Sequence, residues 1–236
     1  MQTETNTTNS RVRLAAFDFD GTSIEGNSPV ILVWYLWRHG LLKKRVLFKI
    51  LLWAAAYALH LPQSEPWVRG LVFTAFEGKP KEEVDAYLMD FYDEAIEKAG
   101  RFRPEAQSTM EELQKRGIQV VIVSASFEPI VRRAMGLHPI DIHICTTMQH
   151  DCHDCYTTKV DGECIEGEVK VTALQSFANA TYGEGNWELV CAFGDHYSDV
   201  PMLSLAEQPV AVNPDFSLSR CAKRQGWNVV DWSLRK

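Results

Sequence analysis

Apolar residues follow two different rhythms along the chain. From Arg11 to Phe19 they form a short unbroken run that ends in acids, the pattern of a buried strand. From Pro29 to Lys98 the spacing becomes helical. Val30, Val33, Trp34 and Trp37 recur through Pro29–His39, and Gly40 ends that stretch. Leu42 to Leu59 predicts a second helix, stopped by Pro62, and Trp67 to Phe76 a third, closed by Gly78-Lys79-Pro80. Glu82 to Lys98 predicts a fourth, with Val84, Tyr87, Leu88, Phe91, Tyr92 and Ile96 on one side. No strand pattern interrupts residues 23–99, so this stretch reads as a helical insertion.

After Arg103-Pro104 short apolar strands alternate with helices. Glu105–Lys115 predicts a helix, Ile118–Val123 a strand, Glu128–Met135 a helix and Ile140–Thr147 a strand. Asp161-Gly162, between short runs in Lys159–Glu168, is a hairpin signal. Helix, strand, short helix, strand, helix and strand then follow over Val169–Tyr182, Leu189–Phe193, Val200–Ala206, Pro209–Val212, Phe216–Arg224 and Trp227–Val230. This alternation predicts an α/β fold with a doubly wound parallel sheet. The expected organisation is a tail over 1–10, a catalytic core over 11–22 and 100–236, and a helical cap over 23–99.

Charge and cysteine content narrow the function. The 236 residues carry 24 Lys and Arg against 31 Asp and Glu, a net charge of -7, which argues against a nucleic-acid binder. Six cysteines in a chain of this length are too sparse for a disulfide scaffold, so a reduced, cytoplasmic protein is expected. Met1–Ser10 is polar, has no apolar run, and does not read as a signal peptide. Val46–Leu61 is strongly apolar but contains Lys49 and His60. At about 16 residues it falls short of the roughly 20 that span a bilayer. It is expected to pack in the cap without stable membrane insertion; a membrane-surface helix is the alternative. Oligomeric state is not encoded in any pattern found. His150-Asp151-Cys152-His153-Asp154-Cys155 resembles half a zinc site, with Cys145 and Cys164 as further candidates; free cysteines near a hairpin are the plainer reading.

Ligands of such a sheet bind beyond the carboxyl ends of its strands. Three strand ends there carry matching chemistry: Asp18-Phe19-Asp20-Gly21-Thr22, Ser124-Ala125-Ser126, and Gly194-Asp195-His196-Tyr197-Ser198-Asp199. Lys170 opens the helix before the last. Two carboxylates at a strand end repel, and a hard divalent cation relieves that repulsion. Gly21 lets the backbone turn its amides toward a phosphate. Ser124 can donate to a phosphate oxygen, and Lys170 can offset charge developing there. Asp18 can serve as a nucleophile and Asp20 as a general acid and base.

These four groups resemble the motifs of the haloacid-dehalogenase superfamily. AAFDFDGT is similar to its first motif, VIVSAS to its second, EVKVTAL to its third and AFGDHYSDVPML to its fourth. The likeness runs from about Val12 to Trp232. The insertion after the first motif resembles the helical cap of the phosphoserine-phosphatase-like branch. The resemblance implies a Mg²⁺-dependent phosphatase that acts on a small phosphorylated metabolite through an aspartyl-phosphate on Asp18, with Asp20 as acid and base. It implies that Ser124 and Lys170 hold the phosphoryl group, with the backbone near Ala125, Phe19, Gly21 and Thr22. Mg²⁺ would be held by Asp18, Asp195 and the carbonyl of Asp20, with Asp199 in support. An acid at the Asp20 position favours phosphatase over dehalogenase chemistry. Phosphoserine phosphatases resemble one another in a Glu nine residues after the nucleophile; Asn27 stands there in this chain. Asn27 and His196 are the candidate substrate contacts. The rival readings are phosphoserine phosphatase proper, a phosphatase of lipid phosphates at a membrane surface, and a binding module that keeps the fold.

Overall fold

The computed structural model describes residues 11–42, 45–46, 48–49 and 72–234. The expected tail over 1–10, most of the helix predicted over Leu42–Leu59 and the first half of that over Trp67–Phe76 lie outside the described residues.

Seven strands form one sheet in the order β4-β3-β2-β1-β5-β6-β7. They are β1 (Val12–Phe17), β2 (Gln119–Phe127), β3 (Ile142–His150), β4 (Tyr156–Asp161), β5 (Trp187–Gly194), β6 (Gln208–Val212) and β7 (Asn228–Val230). All neighbours are parallel except β3 and β4. Side chains of a strand alternate between faces, and both faces here are apolar. Leu14, Ala16, Val121 and Val123 join one core with Leu174, Met202, Leu203, Leu218 and Ala222. Ala15, Phe17, Val120 and Ile122 join the other with Met110, Leu113, Ile130 and Val131. That explains why β1 and β2 read as unbroken apolar runs. The chain leaves β1 on one side, toward β2, and continues on the other, toward β5, so a crevice opens beyond the ends of the central strands.

The α-helices that lie wholly among the described residues are α1 (Ser28–Arg38), α2 (Lys81–Tyr92), α3 (Pro104–Lys115), α4 (Glu128–Met135), α5 (Glu168–Tyr182), α6 (Val200–Leu205) and α7 (Phe216–Gln225). The insertion between β1 and β2 contains no strand among its described residues. It leaves and re-enters the core through two paired segments: Glu25 N–H donates to the Arg101 carbonyl at 2.7 Å and Arg103 N–H to the Ser23 carbonyl at 3.0 Å.

Two expectations change, and the structure decides which face of α1 packs inward. The face of α1 that packs inward carries Ser28, Leu32, Val33 and Leu36, whereas Val30, Trp34 and Trp37 point outward. An all-apolar helix face offers two stripes, and sequence spacing alone does not choose between them. The predicted Glu82–Lys98 helix gives way to a π turn at Asp93–Glu97 that keeps Ile96 buried. The hairpin turn is at residues 151–155, between β3 and β4, and not at Asp161-Gly162, which follows β4. Asp151 makes the earlier turn by accepting the His153 and Cys155 amides at 2.8 and 3.0 Å.

Candidate active site

β1 ends at Phe17, and the chain turns at once. Asp18 N–H still donates to the Phe193 carbonyl of β5 at 2.9 Å, so the side chain of Asp18 leaves from a fixed backbone. Phe19 is fully buried beneath the turn. Gly21 adopts a φ of +74°, and a Cβ there would lie 2.0 Å from an Asp195 carboxylate oxygen. Glycine is required on both counts, the left-handed backbone and the space. Arg103, at the re-entry of the insertion, donates to the Gly21 carbonyl at 3.1 Å and so ties this turn to the start of α3.

Asp18, Asp195 and Asp199 converge. One carboxylate oxygen from each lies within 4.8 Å of the others. Lys170, in the first turn of α5 and almost wholly buried, donates to Asp18 at 2.7 Å and to Asp199 at 2.6 Å. Asp199 also receives the amides of Asp195 and His196, each at 3.2 Å. Gly194 makes room for it, since a Cβ there would sit 2.6 Å from the Asp199 Cβ. Thr22 Oγ1 donates to Asp195 at 3.1 Å. Burial, reinforced by Asp199 and Asp195, raises the Asp18 carboxyl well above its ordinary range despite Lys170. Burial first and Asp199 second push Asp195 up to about 7. Burial works to lower the Lys170 ammonium, but Asp18 and Asp199 outweigh it and hold the group charged. Two buried carboxylates and the half-buried Asp195 against one ammonium leave a negative surplus, which a divalent cation fits. Hard oxygen donors with partial solvent access suit Mg²⁺.

Asp20 is held apart from this acid cluster. Its Oδ1 accepts the Ser28 amide at 2.5 Å. Its Oδ2 accepts the Ser28 hydroxyl at 3.1 Å and the Ser126 hydroxyl. The two hydroxyls also meet one another at 2.6 Å, and both serines are fully buried. Burial raises the Asp20 carboxyl, and these hydrogen bonds partly offset it. Ser28 opens α1 and Ser126 lies near the end of β2, so the insertion and the core grip Asp20 together. Neither serine stands out as a site residue from sequence alone. The signal available was their place: one sits next to the helix cap, the other two residues past Ser124 at a strand end.

Ser124 is buried, with its hydroxyl accepting the Ser126 amide at 3.2 Å, and Ala125 beside it is half-buried. Asn27 is exposed and caps α1, accepting the Val30 amide at 3.1 Å. His196 is exposed and caps the short turn Tyr197–Asp199, its Nδ1 accepting the Ser198 amide at 3.2 Å. Both are committed to backbone capping in this structure. Among the described residues, Asp18, Asp195 and Asp199 are the one group of three or more His, Cys, Asp or Glu placed to share a metal ion. His150, His153, Cys145, Cys152, Cys155 and Cys164 do not converge, so the zinc half-site is not assembled here.

The haloacid dehalogenase-like hydrolase model matches residues 15–204. A phosphoserine phosphatase of Mycobacterium tuberculosis is 28% identical over 229 residues, covering 94% of this chain and 71% of that protein. A histidinol-phosphatase of Neisseria meningitidis is 26% identical over 226 residues, covering 93% of this chain and 98% of that one. The solved structure of a Bordetella pertussis protein of unknown function superposes with a TM-score of 0.81 at 20% identity, over 95% of this chain and 100% of that chain. The family match takes in every acid of the cluster, Lys170 and both gripped ends of Asp20, and the chain therefore belongs to the haloacid dehalogenase-like hydrolases.

Proposed function

We propose that the chain is a phosphatase that hydrolyses a phosphate monoester by double displacement on Asp18. The observation that carries this reading is the separation of the two aspartates. Asp18 lies in the acid cluster against Lys170, while Asp20, two residues on, is tethered outside it by Ser28 and Ser126.

An Asp18 carboxylate oxygen attacks phosphorus, and the bond to the leaving oxygen breaks. Asp20 delivers a proton to that oxygen. Asp20 then takes a proton from water as the water attacks the aspartyl-phosphate, which frees phosphate and restores Asp18. Ser124, Lys170 and the backbone of Phe19, Gly21, Thr22 and Ala125 hold the transferred group. Mg²⁺, when bound by Asp18, Asp195 and the Asp20 carbonyl, would offset charge on the phosphoryl oxygens. Asp199 keeps Lys170 and the Asp195 loop in place. Residues 23–99 act as a cap that limits water during the first step.

The substrate class is a small phosphorylated metabolite, in keeping with relatives named for phosphoserine and histidinol phosphate. Asn27 offers no charge to an ammonium group, which argues against phosphoserine as the preferred member. The test is chemical trapping in Asp20→Asn. Acetyl phosphate gives up acetate, which leaves without a proton donor, so labelled phosphate should accumulate on Asp18 because its breakdown needs the missing base. A label on Ser124, His196 or residue 20 itself would overturn the assignment.

A further inference from the structure

The longest stretch without an acidic residue lies over the insertion. Between Glu25 and Glu65 the chain carries Arg38, Lys43, Lys44, Arg45 and Lys49 and no Asp or Glu, in a protein of net charge -7. The same stretch exposes large apolar side chains. Val30 is 55% exposed, Trp34 44%, Trp37 44% and Phe48 61%. Residues 30, 34 and 37 follow i, i+4, i+7 spacing and so share one face of α1. The opposite face, Leu32, Val33 and Leu36, is already buried in the core. Trp34 and Trp37 meet edge to face, with ring centroids 5.6 Å apart, which presents them as one aromatic patch. Arg38, Arg45 and Lys49 are exposed beside this stretch in sequence. Glu94, the acid that reaches the middle of α1, accepts the Tyr35 hydroxyl at 2.8 Å.

Tryptophan with lysine and arginine suits the boundary between water and lipid. The ring takes the apolar edge of the headgroup layer, and the cations meet lipid phosphates. No helix among the described residues is long and apolar enough to cross a membrane. We propose that the outer face of α1, with Arg38, Arg45 and Lys49, docks reversibly on an anionic lipid surface. The occupant is set by charge. A second copy of this chain would bring a net charge of -7 but would also need an apolar face to match, and the basic run answers a dense anionic plane better. Docking would bring the surface to the helix whose first residue, Ser28, grips Asp20. It requires neither the phosphatase reading nor any residue of the acid cluster.

The full chain is sedimented with vesicles of phosphatidylcholine alone and with vesicles that also contain about 30% phosphatidylglycerol, a typical anionic surface. Binding is expected to be at least about tenfold tighter to the anionic vesicles, and to fall by a similar factor in about 0.5 M salt, where screening is strong. Trp34→Ser with Trp37→Ser, and separately Arg45→Glu with Lys49→Glu, should each weaken binding about tenfold or more. Val229→Ser, at an exposed apolar position on β7, should not. Melting temperature and p-nitrophenyl phosphate turnover should match the parent in all three, which excludes misfolding. The proposal is overturned by equal binding to neutral and anionic vesicles, by no binding to either, or by loss of binding in Val229→Ser as well. It is also overturned if the parent self-associates in sedimentation velocity and the tryptophan variant does not, since the face would then belong to a second copy.

Discussion

The acid cluster and the two described helices of the insertion handle charge in opposite ways. In the cluster, like charges are crowded: Asp18, Asp195 and Asp199 share one ammonium. The buried Asp85 of α2 and the half-buried Asp93 of the π turn after it are each paired with cations. Asp85 accepts from Lys81 at 2.6 Å, Arg132 at 3.1 Å and the Tyr156 hydroxyl at 2.5 Å, and Asp93 takes Arg133 through two bonds at 2.7 and 2.9 Å. The first arrangement stores an unmet demand for a cation, which is useful only if one binds. The second locks α2 to α4 and to the β3–β4 hairpin. Backbone pairing reinforces the lock: Gly78 N–H donates to the Tyr156 carbonyl at 2.9 Å, and Lys81 N–H to the Asp154 carbonyl at 2.8 Å. Helix α1 differs again. Its polar tie to the core is Ser28 on Asp20, at the reacting end itself. If the insertion moves as a cap, α2 is the part held most firmly to the core.

The sharpest break of this contrast is at the crowded end. Asp18→Asn removes the nucleophile, and an amide oxygen does not attack phosphorus. Turnover should fall by at least about 10⁴-fold, in line with other lost nucleophiles, and no phosphoenzyme should form with acetyl phosphate. Chelation by EDTA should give a comparable loss that Mg²⁺ reverses. Full turnover in a metal-free preparation would show that Lys170 alone balances the cluster.

At the locked end the effect should be on stability instead. Asp85→Ala leaves the Tyr156 hydroxyl without its acceptor and takes a carboxylate from Lys81 and from Arg132, which keeps Glu128 at 3.4 Å. Lys81 and Arg132 are about a third exposed, so water screens part of that loss. A destabilisation of about 1–3 kcal/mol is expected by chemical denaturation. Activity measured well below the melting temperature should change little. A large fall in kcat without a change in stability would mean that α2 also moves during turnover.

Between these extremes lies the tether on Asp20. Ser126→Ala deletes one of its two hydroxyl donors, worth about 1.5 kcal/mol for a hydrogen bond to a carboxylate. That corresponds to about tenfold in rate. The loss should appear in kcat for alkyl phosphates, whose leaving oxygen needs the proton, and be much smaller for aryl phosphates. Ser126→Thr, which restores a hydroxyl, should recover part of it. An equal loss for both leaving groups would make Ser126 a packing residue.

How far these regions could be read from sequence follows from their range of interaction. Asp18, Asp20, Ser124, Lys170, Asp195 and Asp199 stand at strand ends or at the start of a helix, and the sheet's parallel order dictates that such ends meet. Apolar runs in β1, β2 and β5 made the strands themselves plain. The hairpin was misplaced because Asp161-Gly162 is a strong local turn signal, whereas the true turn depends on a single side chain, Asp151, folding back on two amides. The helix α1 was plain from its spacing, but which of its two apolar stripes packs inward was not; Leu32, Val33 and Leu36 are the ones that join the core. Ser28 and Ser126 lie 98 residues apart, and no local pattern joins them.

The smallest effect concerns Asn27, the position where phosphoserine phosphatases carry an acid. Its side chain accepts the Val30 amide at the start of α1 and is exposed to solvent. Asn27→Ala should therefore cost about 1 kcal/mol of stability as a lost helix cap. Asn27→Ser should restore nearly all of it, since serine caps a helix about as well as asparagine. Neither change should alter KM for the best substrate in a panel of phosphorylated metabolites, and L-phosphoserine should not head that panel. The serine variant is the discriminating one, because it keeps the cap while it shortens the side chain and removes the amide. If its stability is normal and its KM still rises severalfold, Asn27 meets the substrate when the cap is closed, and α1 supplies specificity as well as a grip on Asp20. If Asn27→Glu turns L-phosphoserine into the best substrate, the cap differs from that of a phosphoserine phosphatase by little more than this one charge.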